Sequence, residues 1–299
     1  MVSSIVTLDF AGVPEEFSDQ KRARIVVLPV PFEASTSWLE GTKKGPDAIL
    51  EASQYVEYYD LETKTEVYKN GIHTAEPIHA VTPKEMLSSV EKAVSSFLKR
   101  DKFVVILGGE HTVSLGAILA HLKHFSSLTI LHMDAHTDLR DSYQGEALSH
   151  ACVMARVFEM TEDVVMAGIR SMDSSELDNL KKVKDVLYAS EFFGVREVVE
   201  ERRRRFIEKL SSNVYLSFDV DVFDPSIMPS TGTPEPGGLD WYSTLGFLKD
   251  VFEKKNVVGF DVVEFSPISG LRAPDFLVAK FIYTLMGYKF AKGSPDNYK

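Results

Sequence analysis

The sequence predicts one α/β domain built around a mainly parallel sheet. Short apolar runs rich in β-branched residues alternate with helical patterns, as in sheets whose strands are joined by crossover helices. Each run is apolar throughout, which is typical of parallel strands buried on both faces. The 299 residues fit two average domains or one larger α/β domain. Because no Ser/Gly linker and no internal repeat divides the chain, we predict a single domain over residues 1–299.

Seven apolar runs predict the strands, and amphipathic patterns predict the helices between them. The predicted strands are 24–29, 102–107, 128–133, 163–168, 185–188, 214–218 and 257–263. The clearest helix runs from Thr82 to Arg100, with Thr82 as the cap, Pro83 in the first turn and Glu85 completing a capping box. Other helices are predicted at 46–59, 112–124, 151–158, 197–210, 242–253 and 274–286. Segment 60–75, with Asn70-Gly71, predicts a small hairpin, and 293–299 a loose tail.

Composition excludes several classes of function. The net charge of −11 argues against binding a nucleic-acid backbone, and the four arginines at 202–205 are flanked by glutamates, as on a solvated helix face. Cys152 is the only cysteine, so no intrachain disulfide forms, and we interpret it as a packing residue. No run of 18 apolar residues and no signal-peptide pattern occurs, so we expect a cytoplasmic protein without a membrane partner.

Acidic and imidazole side chains follow three of the predicted strands. Side chains two residues apart in an extended chain point to the same face. Burying so many acids there would cost too much free energy without a cation. Because the set is oxygen-rich and lacks thiolates, it favours Mn or Mg, with Fe or Co also open, over structural zinc. The set contains more ligands than one ion with an open position needs, so we predict two ions bridged by carboxylates. The candidate ligands are Asp134, His136 and Asp138 after the third strand, Asp219 and Asp221 after the sixth, and His111 after the second, where a helix start favours a neutral ring.

Motifs along nearly the whole chain resemble those of the ureohydrolases, the family of arginase and agmatinase. They are 31–36 (PFEAST), 108–114 (GGEHTVS), 132–138 (HMDAHTD), 149–150 (SH), 217–225 (SFDVDVFDP), 232–238 (GTPEPGG) and 261–267 (DVVEFSP). The resemblance implies a three-layer α/β/α sandwich with an eight-stranded parallel sheet, one strand more than the seven predicted above. It also implies a homo-oligomer, either a trimer or a hexamer.

The resemblance further implies a pair of Mn²⁺ ions. One would be held by His111, Asp134, Asp138 and Asp219, and the other by Asp134, His136, Asp219 and Asp221. A hydroxide bridging two ions is a nucleophile at neutral pH, and it would attack the guanidinium carbon of the substrate.

Two further side chains take catalytic roles by the same resemblance. His150 matches the acid/base histidine that protonates the leaving amine. Glu264 matches the glutamate that receives the guanidinium, for which a bidentate carboxylate is well suited. Glu110, beside His111, is given no role.

The substrate is predicted to be agmatine, hydrolysed to putrescine and urea. Arg140 occupies the position where arginases have an asparagine, and this stretch is most similar to bacterial agmatinases. The segment 268–274 departs from agmatinases, which have a Tyr-Asp turn there. If Arg140 and Arg272 face the substrate, a guanidino acid such as guanidinobutyrate is favoured. The alternatives left open are guanidinobutyrase or arginase activity and, with a single zinc, a deacetylase-like amide hydrolase.

Overall fold

A computed structural model describes residues 8–291, which form an eight-stranded sheet flanked by helices. All neighbouring strands are parallel, in the order β2-β1-β3-β8-β7-β4-β5-β6. The strands are β1 (Ile25–Val30), β2 (Ile72–Thr74), β3 (Phe103–Gly108), β4 (Thr129–Met133), β5 (Val164–Ile169), β6 (Asp185–Tyr188), β7 (Asn213–Asp219) and β8 (Asn256–Val263). The α/β fold with a parallel sheet is therefore confirmed. The tail predicted at 293–299 lies outside the described residues.

Strand β2 is the one that sequence analysis missed, and the predicted hairpin at 60–75 is wrong there. Ile72 and Thr74 pair in parallel with β1, and Asn70-Gly71 is not a two-residue hairpin turn, since Asn70 ends a 3₁₀ turn. The antiparallel pairing in this segment is a single bridge between Asp60 and Thr65. A three-residue edge strand is too short to show a clear apolar run, which explains the missing eighth strand.

Nine α-helices occur in the part of the chain that the structure describes. They are α1 (Glu15–Ser18), α2 (Gly45–Ser53), α3 (Pro83–Leu98), α4 (Ser114–His124), α5 (Val153–Phe158), α6 (Leu177–Leu180), α7 (Arg196–Glu208), α8 (Trp241–Lys254) and α9 (Ala273–Phe290). At the start of α3, the Thr82 hydroxyl accepts from the Glu85 amide as expected, whereas the Glu85 carboxylate accepts from Val81 rather than from Thr82. Within this range, no helix is both long and apolar enough to cross a bilayer.

The helices cover both faces of the sheet, which gives the three layers. Side chains of β1 alternate between the faces: Val27 packs with the core formed by α2, α7, α8 and α9, and Val26 with the core formed by α3, α4 and α5. Both sets are fully buried. Burial on both faces explains why the strands are apolar throughout.

The strand order gathers the polar strand ends at one edge of the sheet. β3, β8, β7 and β4 are consecutive neighbours, although they are far apart in sequence. Because the strands are parallel, their carboxyl ends all lie at the same edge, where ligands bind in open α/β sheets. Residues that follow these four strands therefore face one cleft.

Candidate active site

His111 reaches the cleft through a tight turn after β3. The turn runs close to the segment after β1: a Cβ atom added to Gly109 would lie 2.0 Å from the carbonyl oxygen of Phe32, so only glycine fits. Residues His111–Val113 then form one 3₁₀ turn before α4 begins at Ser114. The turn holds the His111 ring at the carboxyl edge of the sheet.

Three carboxylates converge on one nitrogen of His111. Its Nδ1 lies 3.1 Å from Asp134 Oδ2, 3.2 Å from Asp138 Oδ2 and 3.3 Å from Asp219 Oδ2. All four side chains are buried. Asp138 holds a left-handed backbone conformation (φ 52°), which is uncommon for a residue other than glycine and is often found at functional sites.

A second group forms around His136. Its Nδ1 lies 2.9 Å from Asp221 Oδ2 and 3.5 Å from Asp134 Oδ1. Asp134 thus directs one oxygen to each group. These are the six residues for which sequence analysis predicted metal ligation, and the structure brings all of them together.

The electrostatics of the cluster show more negative charge than the protein offsets. Burial, together with the charges of Asp221 and Asp134, raises the pKa of Asp219 well above its usual range, and burial and Asp134 also raise the pKa of Asp221. Burial disfavours a charged His136, but Asp221 and Asp134 outweigh it and raise its pKa to about 12. Protons thus compete with any cation for this cluster.

The residues present fit a bound metal. His111 Nδ1 and Asp134 Oδ2 are buried and have no hydrogen bond of acceptable geometry among the described residues. Buried polar atoms in proteins are nearly always satisfied, and a cation between these two would satisfy both. Asp134, His136 and Asp221 also offer ligand atoms within 4.8 Å of one another.

Carboxylates, rather than the helix start, dominate the electrostatics of the His111 ring. Burial lowers the pKa of this ring, but Asp134, Asp138 and Asp219 outweigh burial and raise it well above its usual value. Three contacting carboxylates act at about 3 Å, whereas a helix end contributes only partial charge. A metal ion would take the place of this proton.

A hydrogen-bonded chain behind His111 sets which ring nitrogen faces the carboxylates. The Ser217 hydroxyl donates to Asp261 Oδ1 (2.9 Å), and Tyr215 donates to Asp261 Oδ2 (2.8 Å). The Ser217 oxygen is therefore left to accept from His111 Nε2 at 3.0 Å, which leaves Nδ1 as the ligand atom. Sequence analysis gave Ser217 and Asp261 no role, although both lie in the motifs quoted for the resemblance.

His132 is a second residue that sequence analysis passed over. It stands two positions before Asp134 on β4, is fully buried, and lies near both His111 and Asp134. Its Nε2 is 3.1 Å from the carbonyl oxygen of His136 and 3.5 Å from Asp134 Oδ2, so this nitrogen supports the loop that carries the cluster. Spacing of two along a strand was the available signal.

Glu264 and His150, predicted to act on the substrate, both line the cleft beside the cluster. Glu264 Oε1 accepts from the His111 amide at 2.6 Å, and the residue has a left-handed backbone (φ 62°). Burial and the neighbouring Glu110 charge raise the pKa of Glu264 well above its usual range. His150 follows Ser149 in a short 3₁₀ turn before α5, and its Nδ1 contacts Ser35.

The cleft has a volume of about 240 Å³ and is strongly acidic. Six carboxylates and one arginine, Arg140, line it. Arg140 lies 3.7 Å from Asp173 and 3.6 Å from Glu176, and it covers the ring of Tyr143. Its charge is therefore offset within the protein. The six carboxylates are Asp138, Asp173, Glu176, Asp219, Asp221 and Glu264.

Two other residues raised by sequence analysis lie away from the chemistry. Arg272 does not line the cleft; it pairs with Asp275 at 3.0 Å and with Glu51 at 3.3 Å, so the idea that it faces the substrate is wrong. Cys152 is buried, and burial and the Asp138 charge raise the pKa of its thiol to about 11. A neutral buried thiol acts as a packing group rather than as a nucleophile.

Comparison of the sequence with known proteins points to the same kind of site. The Arginase family profile matches residues 23–287. An N(1)-aminopropylagmatine ureohydrolase of Synechocystis is 36% identical over 294 residues, which cover 93% of this chain and 95% of that protein. An agmatinase of Bacillus cereus is also 36% identical, over 83% of this chain and 85% of that protein.

A solved structure of similar fold extends the comparison. The agmatine ureohydrolase of Thermoplasma volcanium superposes with a TM-score of 0.84 at 28% identity, covering 96% of each chain. Residues 23–287, which the Arginase family profile matches, include all eight strands and all six candidate metal ligands. The chain therefore belongs to the arginase family, as a ureohydrolase that acts on C–N bonds of linear amidines.

Proposed function

We propose that this protein hydrolyses a linear guanidino-alkylamine to urea and the free amine, with two divalent ions as cofactors. The observation that carries the proposal is the position of Asp134, whose two oxygens face two separate groups of ligand atoms. A carboxylate shared between two such groups is what a dinuclear centre requires.

The two groups correspond to two ion positions. The oxygen-rich set favours manganese, and two such ions, when bound, lower the pKa of a water molecule so that a nucleophile is available at neutral pH. Asp134 and Asp219 are proposed as the bridging ligands. One ion would be held by His111, Asp134, Asp138 and Asp219, and the other by Asp134, His136, Asp219 and Asp221.

Glu264 and His150 are proposed to handle the substrate. A guanidinium that pairs with the Glu264 carboxylate gains two parallel, charge-assisted hydrogen bonds, and the pair offsets the charge that burial makes costly. His150 lines the same cleft and donates a proton to the departing amine nitrogen, which cannot leave as an anion.

The charge of the cleft favours a substrate with an amine at its far end. The only lining arginine, Arg140, is already offset by Asp173 and Glu176, so a substrate carboxylate would find no free cation among the described lining residues. Asp173 contacts Arg140 only at 3.7 Å and its side chain is 42% exposed, so this carboxylate can still receive an ammonium group. One of its oxygens accepts two hydrogen bonds from Ser175, which together with Arg140 lower its pKa and keep it ionised.

Two amines fit this reasoning, agmatine and its longer derivative N(1)-aminopropylagmatine. The cleft chemistry admits both, because each carries a guanidinium at one end and an ammonium group at the other. The Synechocystis relative, named for the longer compound, and the Bacillus cereus agmatinase are equally identical to this chain. Arginine and guanidinobutyrate carry a carboxylate and are disfavoured. A single-zinc amide hydrolase is also disfavoured, because it would leave part of the six-residue cluster without a partner.

A urea-release assay on the manganese-loaded protein tests the proposal. We expect the kcat/KM for agmatine or N(1)-aminopropylagmatine to exceed that for arginine and guanidinobutyrate. Asp173→Asn should raise the KM for the amines by about 2- to 5-fold, since an exposed ion pair contributes modestly. The same variant should leave the KM for guanidinobutyrate unchanged or lower. A preference for guanidinobutyrate in the unsubstituted protein would contradict the assignment of an amine substrate. Absence of urea release from all four compounds would refute the proposed function.

A further inference from the structure

Glu110 is a fully buried carboxylate beside the site to which no role has been given so far. Its Oε2 accepts from the amides of Ala34 and Ser35, both at 2.6 Å. Its Oε1 accepts from the hydroxyls of Ser35 at 3.0 Å and Thr112 at 2.7 Å. Four donors match the acceptor capacity of a carboxylate, so Glu110 anchors the segment after β1 against the turn after β3.

The Ser35 hydroxyl connects Glu110 to His150. Its hydrogen goes to Glu110, because a carboxylate can only accept. Its oxygen then faces two nitrogens of His150: the backbone amide at 3.0 Å and the ring Nδ1 at 3.2 Å. Because the only hydroxyl hydrogen of Ser35 is donated to Glu110, the Ser35 oxygen can interact with both His150 nitrogens only as a hydrogen-bond acceptor.

This arrangement determines which nitrogen of the His150 ring carries a hydrogen. If Nδ1 were bare, its lone pair would face a lone pair of Ser35 at 3.2 Å, which is repulsive. The Ser149 hydroxyl could donate to Nδ1, but at 3.4 Å it is farther away and would not relieve that repulsion. Nδ1 is therefore protonated, and Nε2 is the nitrogen left for the substrate.

We propose that Glu110, acting through Ser35, holds the His150 ring in the Nδ1–H form and directs Nε2 to the substrate. This rests on the proposed function, in which His150 protonates the leaving amine. Ser35 and Glu110 are then positioning residues: neither touches the reacting atoms. In each turnover Nε2 takes up the proton released as water adds to the guanidinium carbon and passes it to the amine nitrogen as the C–N bond breaks, while Nδ1 keeps its own hydrogen on Ser35 throughout. The Tyr143 ring also packs against the His150 ring in a T-shaped arrangement, with 5.4 Å between the ring centroids.

A double-mutant cycle between Ser35 and His150 tests the proposal in the manganese-loaded protein. Ser35→Ala should lower kcat by about 10- to 100-fold, the range for a hydrogen bond to a group that becomes charged. KM should change little and both ions should stay bound, as measured by metal analysis. In the His150→Ala background, Ser35→Ala should cause no further loss, because it acts only through the missing ring.

Thr112→Val is the matched control. It removes the other hydroxyl from the same oxygen of Glu110 without touching His150. Any loss that it causes should be equal in the presence and absence of His150. A second pair, Ser35→Thr and Ser35→Val, differs only in the hydroxyl, so kcat should be retained in the first and lost in the second. This pair decides the matter if Ser35→Ala does not fold.

The outcomes separate the two proposals. The positioning role alone would be overturned if Ser35→Ala lowered kcat equally with and without His150. It would also be overturned if Ser35→Ala left kcat unchanged while His150→Ala lowered it. A fully active His150→Ala would refute the proton-donor role in the proposed function, and the positioning role with it.

Discussion

His121 provides the most quantitative prediction, because its ring is buried and takes no part in the cluster. It lies on α4, fully buried, 4.5 Å from the ring of Tyr215, and Nδ1 is 2.8 Å from the carbonyl oxygen of Ala117. Among the described residues, Nε2 makes no hydrogen bond of acceptable geometry, and it lies so close to Gly259 that a Cβ there would be 2.5 Å away. Burial, with the nearby charge of His124, lowers the pKa of His121 from 6.5 to about 4.

The size and sign of the effect follow from this pKa. Between pH 6.5 and pH 4 the unfolded chain binds a proton at this position that the folded chain does not, so folding is less favourable as the pH falls. The full difference of roughly 2.5 pH units corresponds to about 3 kcal/mol of unfolding free energy. About 2 kcal/mol of this is lost between pH 7 and pH 5.

The assay compares the wild-type protein with His121→Leu, which cannot titrate. Urea denaturation at pH 7 and pH 5, with the same saturating metal, gives the unfolding free energy of each. We expect the variant to lose about 2 kcal/mol less than the wild type over this interval. Other titrating groups are shared by both proteins and cancel in the comparison. Equal losses in the two proteins would refute the argument that His121 is held neutral by burial.

Three further predictions concern the site itself. Asp134→Asn should weaken the binding of both ions, and Asp138→Asn the binding of chiefly one, as measured by metal content after dialysis. Selective loss of one ion from Asp134→Asn would contradict the proposal that both ions share this carboxylate. Glu264→Gln should lower kcat/KM by about 30-fold or more while metal content stays the same, since a buried charged pair loses roughly 2 kcal/mol or more; an unchanged kcat/KM would exclude pairing with the guanidinium. Gly109→Ala should lower the melting temperature and the metal content together, because its Cβ would collide with Phe32; a native melting temperature would show that the turn can relax.

The sequence by itself determined seven of the eight strands, the clearest helices and the chemical type of the site. Seven strands were predicted to within one residue at each end, because burial on both faces leaves a continuous apolar run that is visible locally. The candidate ligands could be recognised because Asp134, His136 and Asp138 are regularly spaced within a single short segment. Local pattern does not reveal an edge strand of three residues, so β2 was missed.

Tertiary structure decided which of these segments meet, and with it the fine arrangement of the site. The adjacency of β3 and β8 brings Glu264 to His111 across 153 residues, and the loops that follow β1 and β4 bring Ser35 to His150 across 115. The same packing turned Arg272 toward Glu51 and offset Arg140 with Asp173. Hydrogen bonds and ion pairs act over only a few ångströms and do not depend on separation along the chain. Their partners are therefore fixed by strand order and loop path, which residue type and spacing do not encode locally.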